Sequence, residues 1–142
     1  MGEIILEHRF EFGRYIPPDL FPLILSSMKM VPVARTELED DQFEGDYYVA
    51  LANENACWRN AVKQYHVVRT DDGYTNVIMW IVMENTTVRV VGIGQLIRHR
   101  YILKCLEDCC TTVQNVIMDL PGLYQVQENI ICPKCLLEQR LP

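Results

Sequence analysis

The residues best suited to chemistry lie near the carboxyl end, in Cys132-Pro133-Lys134-Cys135. Two thiolates at this spacing can hold half of a tetrahedral zinc site. The sequence has neither a second Cys-x-x-Cys nor a His-x-x-x-His pair to supply the other half. Cys105 and Cys109 complete a site only if the fold carries them to Cys132 and Cys135, and Cys109 also falls on a helical packing stripe. A redox pair needs its Cys-x-x-Cys at a helix start behind a thioredoxin-like strand, which is not its position here. Cys132 and Cys135 are therefore zinc candidates, set against a plainer reading as small residues in a tight turn. Cys57 and His66 offer a thiol and an imidazole, but no local motif joins them as nucleophile and base. Gly92-Ile93-Gly94-Gln95 resembles a phosphate-binding turn without being GxGxxG and without a Walker lysine, so its glycines fit a tight strand-to-helix turn. The carboxylates between Glu37 and Asp46 lack EF-hand spacing and read as a solvated loop. Arg98-His99-Arg100 is a basic cluster in an acidic chain, either a solvated face or a contact for an acidic surface. No catalytic set and no cofactor motif emerges, and the expectation is a non-enzyme.

The elements that must position these groups centre on Trp58 to Gly94, which reads as three consecutive strands. Asp71-Asp72-Gly73 and Asn85-Thr86-Thr87 supply the turns. Val77 to Met83 is apolar at odd and even positions alike, so both faces of that strand need cover: helices on one side, chain or a partner on the other. Ala61 to Thr70, interrupted by Lys63, Gln64, His66 and Arg69, fits an exposed strand near an edge. Trp58 is expected to be buried. Residues 3–12 alternate, with Ile4, Leu6, His8, Phe10 and Phe12 on one face, as a half-buried strand does.

A short helix is predicted over 18–29, started by Pro18 and Asp19. Residues 30–56 form an acidic loop region, within which Tyr47 to Leu51 suits a helix or a strand equally. The main helix runs from Gln95 to about Leu120. Its stripe is Ile102, Leu106, Cys109, Val113, Val116 and Leu120. Pro121-Gly122 stops it, and Leu123 to Cys132 reads as a last strand. The whole is one α+β domain over 1–142, with a mostly antiparallel sheet in the order β-α-β-β-β-α-β and helices packed chiefly on one face.

Composition narrows the partners. The 142 residues are 49% hydrophobic, enough for a real core, and the net charge of −6 disfavours nucleic acid and anionic membranes. No apolar run reaches the roughly 20 residues a membrane span needs. No secretory leader is recognisable, and six cysteines in such a chain suggest reduced thiols in the cytoplasm. The ending Gln139-Arg140-Leu141-Pro142 reads as the edge of a piece of a longer chain.

Five stretches in order carry a family resemblance. They are Tyr15-Ile16-Pro17-Pro18-Asp19-Leu20-Phe21-Pro22-Leu23-Ile24, Trp58-Arg59-Asn60-Ala61-Val62, Val88-Arg89-Val90-Val91-Gly92, Leu120-Pro121-Gly122-Leu123 and Ile131-Cys132-Pro133-Lys134-Cys135-Leu136. Together they resemble the C-terminal half of a COR domain from Roco-type multidomain GTPases of the animal type, with the death-associated protein kinase group as an alternative. Ser26-Ser27, where an Arg-Leu pair is common, and Pro22 depart from the pattern. The resemblance implies a non-catalytic module that supports homodimerisation and couples the GTPase domain of the same parent chain to its neighbours. Self-association is expected at a sheet edge or the main-helix flank. The other two classes are a zinc-stabilised adaptor using Cys132 and Cys135, and a small thiol enzyme using Cys57 or Cys135.

Overall fold

The structure, a computed structural model, describes residues 2–43 and 47–120 and the backbone of 126–129. Strand β1 (Glu3–Phe12) leads to helix α1 (Leu20–Ser27). Strands β2 (Tyr48–Cys57), β3 (Ala61–Thr70), β4 (Gly73–Glu84) and β5 (Thr87–Gln95) follow as a meander, then helix α2 (His99–Met118) and strand β6 (Val126–Asn129). They form one antiparallel sheet in the order β2-β3-β4-β5-β1-β6. This is the expected α+β class, with one strand more than the sequence pattern indicated.

Alternation explains the helix-facing side of the sheet. Leu6, Phe10 and Phe12 of β1, Val77, Met79 and Ile81 of β4, and Val88 and Val90 of β5 are buried against the helices. Helix α2 closes this core with Ile102, Cys105, Leu106, Cys109 and Val113 on one stripe. Each large aliphatic side chain so buried contributes about 2 kcal/mol. Asp19 stands at the N-cap of α1 but gives it no side-chain hydrogen bond.

Four expectations are corrected. The acidic loop region 30–56 ends at Tyr47, because Tyr48–Cys57 is the sheet's outer strand, bulged between Leu51 and Ala56. Strand β3 lies next to the edge, as expected, but is not exposed: β2 flanks it as the outer strand, and its Gln64 and His66 are buried. Trp58 is not buried but half exposed, since it lies just past the end of β2 in the turn to β3. Gly92 and Gly94 are not turn glycines. A Cβ on either would come within 3.0 Å of Ile102, so they let α2 lie close on the sheet. Arg98-His99-Arg100 meets an acidic surface within its own chain: Arg98 Nη2 donates to both carboxylate oxygens of Asp72 at 2.8 Å, and Arg100 reaches Asp71 at 3.4 Å.

Candidate functional site

Among the described residues, the second face of the sheet is only half covered. The chain between α1 and β2 crosses its β2–β3 side, where Leu38 and Phe43 pack on Val49, Leu51 and Val67. The β4–β5–β1 side has no such cover among the described residues. The register arranges its outward side chains in three rungs across four strands. The first is Tyr65, Ile78, Ile93, Ile5; the second Lys63, Trp80, Val91, Glu7; the third Ala61, Val82, Arg89, Arg9. Ile5 is 60% exposed and Trp58, stacked on Trp80 with centroids 5.3 Å apart, is 50% exposed. Strand spacing and rise make the patch on the order of 400 Å² in plan, with Lys63, Glu7, Arg89 and Arg9 among its rungs and Ala61 and Val91 buried between their neighbours.

Charges are built into this face in an ordered way. Lys63 Nζ lies over the rings of Tyr65 at 5.1 Å and Trp80 at 5.6 Å, so its ammonium is held flat on the aromatic pair. Glu7 accepts from Arg89 and, at 3.1 Å, from Arg9. Partial burial raises the Glu7 carboxyl, but the two guanidinium hydrogen bonds outweigh it and leave the group below its usual range. The face therefore combines an apolar centre, an aromatic corner and paired ions that keep their charge at neutral pH. Geometry of this kind suits recognition of another surface. It presents no nucleophile next to a base.

The sequence candidates fall elsewhere. Cys132 and Cys135 lie outside the described residues. Among the described residues no three His, Cys, Asp or Glu side chains come together as a metal site. Cys105 and Cys109 are buried in the core, and burial pushes both thiols up. Cys57 pairs in register with Val62, whereas His66 pairs with Ala50. Four residues of strand, roughly 13 Å, therefore separate Cys57 from His66 along β3. Cys57 is exposed and His66 is 1% exposed, so the structure does not bring them together. Iodoacetamide on the native protein is expected to modify Cys57 at least ~10-fold faster than Cys105 or Cys109, read by peptide mass mapping. Comparable labelling of Cys109 would contradict its burial. Sequence reasoning missed the rungs themselves. Their signal was the apolar character of Ile78, Trp80 and Val82, but their partners on three other strands depend on register.

Compared with protein-family models and with curated protein sequences, the chain matches none. No helix among the described residues is long and apolar enough to cross a membrane.

Proposed function

We propose that this chain is a non-catalytic interaction module that pairs with a second copy of itself through the open face of β4, β5 and β1. The observation that carries this is the three-rung apolar and aromatic patch, uncovered among the described residues, on a sheet whose other face holds the main core under α1 and α2. A second copy suits it by charge. The outward residues of β1 read Glu3, Ile5, Glu7, Arg9, Glu11, so a copy inverted about Leu6 sets Arg9 of each chain against Glu3 of the other and lays the Ile5 rung of one copy over the Glu7 rung of its partner. A face with carboxylates and cations in near balance also avoids the repulsion that the acidic remainder of the chain would meet in its copy. This places the contact on a face, where the sequence pattern suggested an edge or the α2 flank. The outer surface of α2 is mainly polar, with Glu107, Thr111, Gln114 and Asn115 exposed and Met118 exposed at its end.

The COR-like resemblance extends the reading. The module would sit in a cytoplasmic signalling protein and couple a GTPase domain of the same polypeptide to its neighbours, with dimerisation as the coupling event. Nothing in the patch favours nucleic acid or membrane. The zinc-stabilised adaptor is the alternative on Cys132 and Cys135, and stoichiometric zinc lost on Cys132→Ser would favour it.

Sedimentation velocity tests the pairing. The wild-type chain is expected to shift from monomer to dimer between about 10 and 500 µM, as suits a weak interface smaller than the stable range. Ile5→Arg is expected to stay monomeric throughout, with its unfolding midpoint within ~2 °C of wild type because the side chain is exposed. A wild-type monomer at the top concentration, or an Ile5→Arg dimer, would overturn the reading. The coupling part requires a P-loop GTPase domain encoded in the same polypeptide, and fails without one.

A further inference from the structure

On the helix side of the sheet, away from the open face, a cavity of about 380 Å³ opens between the end of α1, the start of β2 and the middle of α2. Its floor is Gln64, His66 and Ile81, its walls include Met28, Ala50 and Cys109, and Lys104 and Asp108 stand among the residues lining it. The volume is within the range of small-molecule sites. His66 is the informative residue. Its ring is 1% exposed and Nε2 is 3.1 Å from Gln64 Oε1. A carbonyl oxygen can only accept, so this contact places the proton on Nε2 and leaves Nδ1 a bare acceptor. That Nδ1 has no hydrogen-bond partner among the described residues. A buried acceptor without a donor is costly.

The surroundings define what can supply the donor. Tyr48 stacks on the imidazole at 4.7 Å and holds its plane. Met28, Ala50, Ile81 and the Cys109 thiol give the cavity apolar and sulfur surface, which suits an aromatic ring. The cationic Lys104 is already paired with Asp108 at 3.3 Å, both side chains are about one-third exposed, and Lys29, the remaining ion of the lining, is exposed, so the ions sit at the rim and not at the floor. A charged ligand would lose its hydration against a neutral floor without a counter-charge there. We propose that this cavity binds a small uncharged aromatic molecule carrying one O–H or N–H donor, with that donor given to His66 Nδ1.

Phenol and toluene are the probes, alike in shape and different in the donor. In a ¹⁵N-resolved NMR titration of the imidazole, phenol is expected to move the His66 Nδ1 resonance and to bind ~10-fold more tightly than toluene, the effect of one net hydrogen bond. Thr112→Trp, at the half-exposed rim, is expected to abolish both without disturbing the core. His66→Phe keeps the ring and removes the acceptor, and the phenol preference should fall to about one. The proposal is overturned if phenol and toluene bind alike, if Nδ1 does not respond, or if Thr112→Trp leaves binding intact. Should His66→Phe not fold, the Thr112→Trp and probe comparison decides alone. None of these readouts depends on whether the protein pairs with its copy.

Discussion

Lowering the pH from 7 to 5 is expected to remove about 2 kcal/mol of stability through His66 alone. Burial holds the folded imidazole's pKa down at about 3, so it stays neutral across the mildly acidic range. Unfolded, the same side chain takes up a proton below about pH 6.5. Between pH 6.5 and 3 the unfolded chain therefore binds one proton that the folded chain refuses. Stability rises with pH in that window, by about 1.4 kcal/mol per unit, and is fully present above it. The groups around the ring do not alter the sign. Lys104 and Asp108 are paired with each other, Cys109 is a neutral thiol, and Tyr48 meets the imidazole by its face. The lost 2 kcal/mol corresponds to a fall in melting temperature of roughly 7 °C for a domain of this size. Glu7 acts in the same direction but lower. Its folded carboxyl is below the usual range, so its contribution is present above about pH 4.3 and is lost as pH falls through the depressed value. Urea unfolding of wild type and His66→Gln at pH 7 and pH 5 separates the two. His66→Gln keeps a donor for Gln64 and cannot titrate, so its stability should be nearly flat over that interval. Equal slopes in the two proteins would show that His66 is not the source.

Much of the packing was legible because periodicity records burial directly. The alternation of Leu6, His8, Phe10 and Phe12, and the stripe from Ile102 to Val116, each report one buried face without knowledge of the rest of the chain. Strand β2 was hidden because its order comes from pairing with β3. Its bulge between Leu51 and Ala56 breaks the alternation, and Asn53, Glu54 and Asn55 look like loop. Gln64 and His66 misled for a related reason. Polar residues in a strand suggest exposure, but these two hydrogen-bond each other and line a cavity, so they can be buried one strand in from the edge. The basic cluster at Arg98 finds Asp72 across 26 residues, a pairing that only the β4–β5 hairpin creates. The open face shows the limit most clearly. Its apolar strand was visible as a need for cover on both sides, while the three rungs that form the patch required the register of four strands. Cys132 and Cys135, the most chemical pair by spacing, lie outside the described residues.

Gly92→Val is expected to be among the most damaging single changes, at about 3 kcal/mol, because two glycines and one isoleucine set the distance between helix and sheet. Gly92 pairs with Leu6 on one side and Met79 on the other, in the middle of the sheet. A Cβ there would lie 3.0 Å from Ile102 Cγ2 and 3.2 Å from Met79 Sδ. One strand period on, a Cβ at Gly94 would lie 2.9 Å from Ile102 Cδ1. Ile102 is fully buried and Met79 nearly so, which leaves neither room to turn aside. Valine adds two further carbons beyond the Cβ, so α2 must lift or the strand must bend. Ile102→Ala alone should cost ~2–5 kcal/mol by leaving a cavity. The double variant Gly92→Val with Ile102→Ala decides between a specific clash and a general intolerance of β5. If the two residues share one space, the new side chain fills the volume the isoleucine vacates, and the pair should cost at least ~1 kcal/mol less than the two losses together. Strict additivity would mean that the damage arises within the strand. Because Cys109 and Lys104 ride on the same helix, lifting α2 also widens the cavity over His66. The clash variant should therefore lose the steep acid sensitivity along with its stability, since water reaching the imidazole would restore its ordinary titration.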